Sequence, residues 1–525
     1  MKKVHPVFLS LLSGLLFFLS WPTISFTVAV FFAFIPLFII QEQQYSGIKY
    51  FAHIYLALFV WNISTTWWIW NSTAVGAIMA IVANSLLMCL PWMGFNYVYK
   101  KLGTVWAYPS FIIFWMCFEY IHLQNWGLSW PWLTLGNVFA SRVEWVQWYE
   151  YTGTSGGSLW VLVVNVLFYL LLKGLNPSAS QRIKQIAFIA FMLITPIALS
   201  FVIQNKLKQT SSDNGSNIVI IQPNIDPYEK IATGSFEMQL QKLIRLSESK
   251  VDCNTTLLIW PETALYSPNG FDESNLNTNF FLNPLFDFLK RHPQLQLFTG
   301  IESYRVFNEK KSAVAKPIEG TPNFYEVYNG SVLLDSNGAK QFYHKSMLVP
   351  GVETLPKFLL FLGPVFEKFG GTAGGYATQA QRTPVITSGQ FILAPAICYE
   401  SIYGEYMSRY IANGANLITI ITNDGWWGNT PGHKHHQLYA RLRAIENRTW
   451  VTRSANTGIS CFIAPTGAVI QPQPWWQEAA IKFSLSPTQT KTFYVRYGDL
   501  LSKAALLFAT VIFLFVLYRL FLKKQ

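Results

Sequence analysis

Eight apolar stretches set the first constraint on what this chain can fold into. A helix crossing a bilayer takes about 20 apolar residues. Such stretches lie near 6–21, 25–42, 50–70, 74–99, 104–122, 157–173, 185–204 and 500–521. A backbone in hydrocarbon must satisfy its own hydrogen bonds, so each reads as a helix. The first could pass for a signal peptide, but it lacks a small-residue cleavage site and a second apolar stretch follows at once. It reads as a retained span. Between the seventh and eighth stretches lies a long polar segment. The expected organisation is a membrane domain over 1–205 with seven transmembrane helices, a folded domain over 206–498, and a last helix with a short tail over 499–525.

Charge orients this arrangement. Only 13% of residues are charged and 51% are hydrophobic, well below the roughly 25% charged share of a soluble protein. Lys2, Lys3, Lys49, Lys100, Lys101, Lys173, Arg182, Lys184, Arg519, Lys523 and Lys524 all fall on one side if eight spans are crossed. The opposite turns Trp21–Ser25 and Trp70–Thr73 carry no basic residue. Basic loops stay cytoplasmic, so both termini are expected inside and 206–498 outside. The net charge of +12 also favours anionic headgroups. No basic–aromatic array points to nucleic acid. Five cysteines with no close spacing are not a disulfide framework.

The polar segment alternates strand and helix patterns, with strands expected at 217–222, 256–260, 295–300, 328–334, 391–397, 416–421, 450–453 and 460–463. Helices are expected near 235–249, 279–291, 401–413 and 433–448. Near-continuous apolar strands with helices between them indicate a layered α/β domain. Residues 308–323 and 369–375 read as loops.

Three motifs stand at the ends of β-like runs: Trp260-Pro-Glu-Thr-Ala264, Tyr343-His-Lys-Ser-Met-Leu-Val-Pro350 and Ile397-Cys-Tyr-Glu-Ser401. Together they offer a carboxylate (Glu262), an ammonium (Lys345) and a thiol (Cys398), enough for acyl transfer through a thioester. Each has a plainer reading. Cysteine is commonly a buried core residue, most lysines are exposed, and a carboxylate at a strand end can simply face solvent. The co-occurrence of the three motifs favours chemistry. Glu353 and Glu400 are candidate supports, since a second carboxylate near a lysine holds it charged. Tyr399 either packs or serves the thioester. Trp426 and Trp427 are candidates for substrate contact. His433, His435 and His436 lack the carboxylate partners of a metal motif and read as the opening of a helix. No metal and no cofactor are expected. Gly370–Gly375 lacks the Lys-Ser/Thr of a phosphate loop.

These motifs resemble the Glu-Lys-Cys signature of the nitrilase superfamily. Thr422-Asn-Asp-Gly-Trp-Trp-Gly428, Arg443–Arg448 and Arg453–Ser460 continue the resemblance. Ser129–Gly136 and Thr492–Asp499 are similar to segments of the apolipoprotein N-acyltransferase family, in which a nitrilase domain is inserted between membrane helices. The resemblance implies an αββα sandwich outside the membrane and a Glu262–Lys345–Cys398 triad. It also implies a phospholipid acyl donor, a diacylglyceryl apolipoprotein acceptor, and a bacterial inner membrane with the catalytic domain in the periplasm. The chain departs from the family at Gly351-Val-Glu-Thr354, where the glutamate stays and its aromatic neighbours do not. It departs again at Ile231, where an aromatic is usual and Tyr228 is nearby. Two rivals are a membrane-tethered amidase, in which water resolves the thioester, and a transporter with a binding domain. The spans carry few ionisable groups, chiefly Glu119, which weighs against transport.

Overall fold

The computed structural model describes residues 4–174, 178–208, 215–228, 236–355, 361, 363, 375–488 and 490–522. Ile231, most of the 369–375 loop, and Lys2, Lys3, Lys523 and Lys524 lie outside the described residues. The chain divides into two compact units. One comprises Met1–Trp67, Ala77–Leu207 and Tyr497–Gln525, the other Trp68–Gly76 and Lys208–Arg496.

The first unit is built of apolar helices. Pro6–Ser20, Gly47–Thr66, Thr104–His122, Thr154–Lys173, Ala179–Lys208 and Leu500–Leu522 each cover one apolar stretch. Two stretches are divided. The stretch at 25–42 is a 3-10 turn, Thr27–Phe32, followed by a helix, Ile35–Glu42. The stretch at 74–99 is two helices, Ala74–Leu87 and Cys89–Leu102. Pro91 accounts for the second break. Proline has no N–H, and its ring meets the carbonyl four residues back, which is that of Leu87. Among the described residues, four stretches are long and apolar enough to cross a membrane: Ala74–Leu102, Thr154–Lys173, Ala179–Leu207 and Leu500–Arg519. Pro6–Ser20 and Thr27–Glu42 are apolar but shorter.

Glu119 is buried among these helices and fully bonded. Its Oε1 accepts from Trp115 Nε1 at 3.0 Å and Leu135 N at 2.9 Å, and its Oε2 accepts from Ser158 Oγ at 2.6 Å. The carboxyl thereby ties two helices to the Ser129–Gly136 segment. Gly136 is required there, because a Cβ would sit 2.0 Å from Thr154 O.

The second unit contains two sheets. Its strands run β1 (Ser216–Gln222), β2 (Thr255–Ile259), β3 (Phe271–Asp272), β4 (Gln296–Phe307), β5 (Lys316–Pro317), β6 (Phe324–Asp335) and β7 (Gly338–His344). They continue as β8 (Val385–Ile386), β9 (Ile392–Ile397), β10 (Leu417–Thr422), β11 (Val451–Ala455), β12 (Cys461–Ile463), β13 (Val469–Ile470) and β14 (Ala479–Leu485). The first sheet has the order β14-β1-β2-β4-β6-β5, with β3 on β4 and β7 on β6. The second runs β13-β12-β11-β10-β9-β8. Strands β9, β10 and β11 are parallel and buried on both faces, which the mainly apolar sequences of β9 and β10 favour. The sheets meet where Ser454 Oγ of β11 donates to Ile221 O of β1 at 2.8 Å.

Helices Phe236–Glu248 and Asn283–Arg291 cover the first sheet. Leu240, Leu243, Leu285, Phe288 and Leu289 pack with Val219, Leu258, Trp260 and Leu297 in one apolar cluster. Spacing of three and four residues puts these side chains on one helix face. Helices Gly404–Ala412 and Pro431–Asn447 belong with the second sheet. The latter starts at Thr430, whose Oγ1 accepts from Gly432 N at 3.3 Å, and stops at Arg448 in the left-handed conformation.

Candidate active site

Each of the three motif residues stands just past the end of a strand. Glu262 follows β2, Lys345 follows β7 and Cys398 follows β9. Side chains at such positions are aimed by a rigid sheet while the strand's own bonds stay intact. Gly300 on β4 lets the first turn come close, because a Cβ there would lie 2.4 Å from Thr263 N. Cys398 has a φ of 51°, a left-handed conformation that costs a non-glycine residue energy and persists only where its surroundings hold it.

Lys345 is the centre of the cluster and is 1% exposed. Its Nζ donates to Glu353 Oε1 at 2.7 Å and lies 3.4 Å from Glu262 Oε1. Asn329 Nδ2 donates to both carboxylates, at 2.9 Å to Glu262 and 3.1 Å to Glu353. Glu262 Oε2 accepts from Asn423 N at 3.1 Å, and Glu353 Oε2 accepts from Val349 N at 2.8 Å.

Burial opposes the charge on Lys345, but Glu353, Glu262 and Cys398 together hold its pKa well above the ordinary lysine value. Cys398 is pushed the other way for a nucleophile. Burial and the Glu262 charge raise its thiol well above the usual range, while Lys345 and a hydrogen bond with Thr422 pull it down less. The resting group is therefore a neutral thiol, which reacts as a nucleophile only where a base takes its proton.

Glu400 is fully buried and holds backbone rather than Lys345. Its Oε1 accepts from Ser346 N at 2.7 Å, Met347 N at 3.2 Å and Tyr406 Oη at 2.6 Å. Its Oε2 accepts from Ile397 N at 2.8 Å, and Tyr343 Oη is 2.8 Å from both oxygens. The chain just after Lys345 and the chain just before Cys398 are thus fixed to one carboxylate. Tyr399 is buried against Tyr403. Trp426 is exposed, and Trp427 is half-buried against His436 at 5.5 Å.

Sequence reasoning gave no role to two groups that the fold brings here. One is Asn329, whose motif-free sequence offers no signal. The other is the fully buried set Asp424, His436 and Arg453. Asp424 Oδ1 is 2.9 Å from His436 Nδ1, and Arg453 Nη2 donates to Asp424 Oδ2 at 2.7 Å. Burial opposes the Asp424 charge, yet Arg453 and His436 hold its carboxyl well below the usual range. His436 Nε2 lies 3.1 Å from Cys398 O and 2.9 Å from Ser401 Oγ. His436 opens a helix as expected, and it also reaches the turn that carries the thiol. Burial lowers the pKa of His433 to about 4. Among the described residues no group of three or more His, Cys, Asp or Glu side chains is arranged to hold a metal ion.

The carbon-nitrogen hydrolase family model matches residues 218–491, and the apolipoprotein N-acyltransferase N-terminal domain model matches 13–167. The apolipoprotein N-acyltransferase of Chlorobaculum tepidum is 30% identical over 97% of this chain and 96% of its own length. The chain belongs to the apolipoprotein N-acyltransferase family. The Geobacter metallireducens protein of the same name is 25% identical over 96% of this chain and 94% of its own. A Saccharomyces cerevisiae structure, Nit3 of the nitrilase superfamily, aligns over 53% of this chain with a TM-score of 0.37 and 15% identity.

At Gly351-Val-Glu-Thr354, where the chain departs from the family pattern, Glu353 bonds to Lys345. Tyr228 lies 5.3 Å from the Trp426 ring, centroid to centroid.

Proposed function

We propose that this chain moves an acyl chain from a phospholipid, through a thioester on Cys398, to the α-amino group of the S-diacylglyceryl cysteine of an apolipoprotein. The observation that carries this reading is the buried cluster in which Lys345 Nζ stands between Glu353 and Glu262 and acts electrostatically on Cys398. Family membership supplies the substrate class, since its relatives are named for transfer to apolipoproteins.

In the first half-reaction Glu262 takes the Sγ proton as the sulfur attacks an ester carbonyl of the phospholipid. The oxyanion that forms is met by Lys345 Nζ and a backbone N–H near Tyr399. Collapse breaks the ester C–O bond, and Glu262 returns the proton to the leaving oxygen of the lysophospholipid. In the second half-reaction the neutral α-amine attacks the thioester, Glu262 takes a proton from nitrogen, and the Cys398 sulfur leaves to be reprotonated. An amide and a free thiol result. Glu353, Glu400, Asn329 and the Asp424–His436–Arg453 set hold these groups in place. Trp426 and Trp427 contact substrate.

The organisation that goes with this reading is an eight-span protein of a bacterial inner membrane. Its boundaries fall at 1–205, 206–498 and 499–525, and its catalytic domain is periplasmic. Support comes from the one-sided placement of basic residues between apolar helices.

Cys398→Ala, Glu262→Gln and Lys345→Ala in the full-length protein test the assignment. Each should fold and reach the membrane. Cys398→Ala should form no thioester, and loss of the Lys345 donor should slow acylation by about 100- to 1,000-fold. Near-normal acylation in any one removes that residue from the mechanism.

A further inference from the structure

Residues Trp68–Gly76 run from the end of the third apolar stretch into the start of the fourth, yet they belong to the compact unit that contains the candidate site. Trp68 is fully buried in it. Its ring stands edge-on to Trp427 with centroids 5.0 Å apart and lies 6.1 Å from His435. Gly432 makes the space, because a Cβ at that position would meet the Trp68 ring at 2.5 Å. Three residues further on, Asn71 Nδ2 donates to Trp427 O at 2.8 Å. Tyr228 Oη lies 2.7 Å from both Asn71 O and Trp426 O, placed to donate to either.

The contacts to Trp426 and Trp427 converge on one short turn, Asp424–Trp427. The residue before it, Asn423, donates its backbone N–H to Glu262 Oε2 at 3.1 Å. Trp427 at its other end packs on His436, whose Nε2 is 3.1 Å from Cys398 O. The turn therefore connects the carboxylate and the thiol-bearing backbone on one side to Trp68 and Asn71 on the other.

We infer that Trp68 and Asn71 are positioning residues, which hold the Asp424–Trp427 turn so that Glu262 and Cys398 keep the alignment that proton transfer needs. Neither touches the reacting atoms, and the inference rests on acyl transfer through Cys398. A misplacement of about 1 Å, caused from outside the chemistry, can slow a reaction on the order of 100-fold. An otherwise ordinary loop between two apolar helices thus belongs to the working site.

The test is single-turnover acylation of full-length protein in detergent micelles with radiolabelled phospholipid, read as label on Cys398. Asn71 is exposed, so Asn71→Ala removes one hydrogen bond and opens no core cavity. It should lower the maximal acylation rate about tenfold, the equivalent of one such bond. The half-saturating phospholipid concentration and the melting temperature should be unchanged. Trp68→Phe should retain most of the rate and Trp68→Leu should lose it. If Trp68→Leu fails to fold, Asn71→Ala and Tyr228→Phe carry the test. A wild-type maximal rate in Asn71→Ala overturns the inference. So does a change confined to half-saturation, which would make Asn71 a lipid contact. Wild-type protein that never acquires label defeats the acyl-transfer reading itself, and this inference with it.

Discussion

Glu353 Oε1 lies 2.7 Å from Lys345 Nζ, whereas Glu262 Oε1 lies 3.4 Å from it. The lysine's closer partner is thus the supporting carboxylate. Glu262 is left with a looser ion pair, one Asn329 bond and one backbone N–H. In the proposed mechanism, a base that accepts and returns a proton gains from that division, because its charge is steadied without being locked.

Glu353→Gln removes the charge and keeps the shape. A hydrogen bond to a charged group contributes about 1.5–3 kcal/mol, so acylation of Cys398 should fall by roughly 10- to 100-fold. Rapid-quench acylation checks this. A rate within twofold of wild type would mean that Glu262 alone suffices to hold Lys345.

Glu400 should behave differently. Its two oxygens accept from three backbone N–H groups and face two tyrosine hydroxyls. Glu400→Gln places an amide NH2 against donors, leaving buried groups unsatisfied at about 1–3 kcal/mol each. A lowered melting temperature and lowered acylation should therefore appear together. Loss of activity with unchanged melting would assign Glu400 to the chemistry instead.

The raised Cys398 pKa has a kinetic signature. An unperturbed thiol is half ionised near about pH 8.5 and almost fully thiolate about one unit higher. Burial and the Glu262 charge raise Cys398 above that, so its protonated form persists to higher pH. Alkylation of Cys398 by iodoacetamide, followed by mass spectrometry, should keep accelerating between about pH 9.5 and pH 10.5, where an ordinary thiol has levelled off. A plateau above about pH 9.5 would show an ordinary thiol.

Asp424→Asn should act on stability first. Arg453 is fully buried beside it, and removing one partner of a buried ion pair costs about 3–5 kcal/mol. Thermal melting should show a large loss. The depressed Asp424 pKa gives the sign of the acid response. Its contribution is present above the unfolded carboxyl value and is lost as pH falls through the folded value. Wild-type stability should therefore decline more steeply with acid than that of Asp424→Asn.

Much of this was legible in the residues. The motif ends at Glu262, Lys345 and Cys398 announce themselves because strand, turn and reactive side chain occur in sequence. The strands β9 and β10 are equally plain, β9 being apolar throughout and β10 apolar but for two threonines. Other features were hidden for physical reasons. The pairs β3, β5, β8 and β13 have two residues each, too few to show a period, and β5 falls within a stretch that reads as a loop. The break after Leu87 follows from Pro91, but apolar length alone conceals it. Asn329 and Asp424 matter through partners that are distant in sequence, and a single chain shows no sign of such pairing. Glu400 looks like a companion of the lysine because of its place beside Cys398, whereas the fold directs it to backbone.

Transfer through a thioester to a lipid-linked amine is tested most directly by a burst followed by a discharge. Full-length protein given labelled phospholipid alone should release about one equivalent of lysophospholipid per site and stall with label on Cys398. Adding a peptide with an S-diacylglyceryl cysteine and a free α-amine should discharge the label into the peptide and restart turnover, while the same peptide with an acetylated amine should not. Continuous release of free fatty acid without peptide would contradict the account, because water would then be the acceptor and the protein an amidase-like hydrolase.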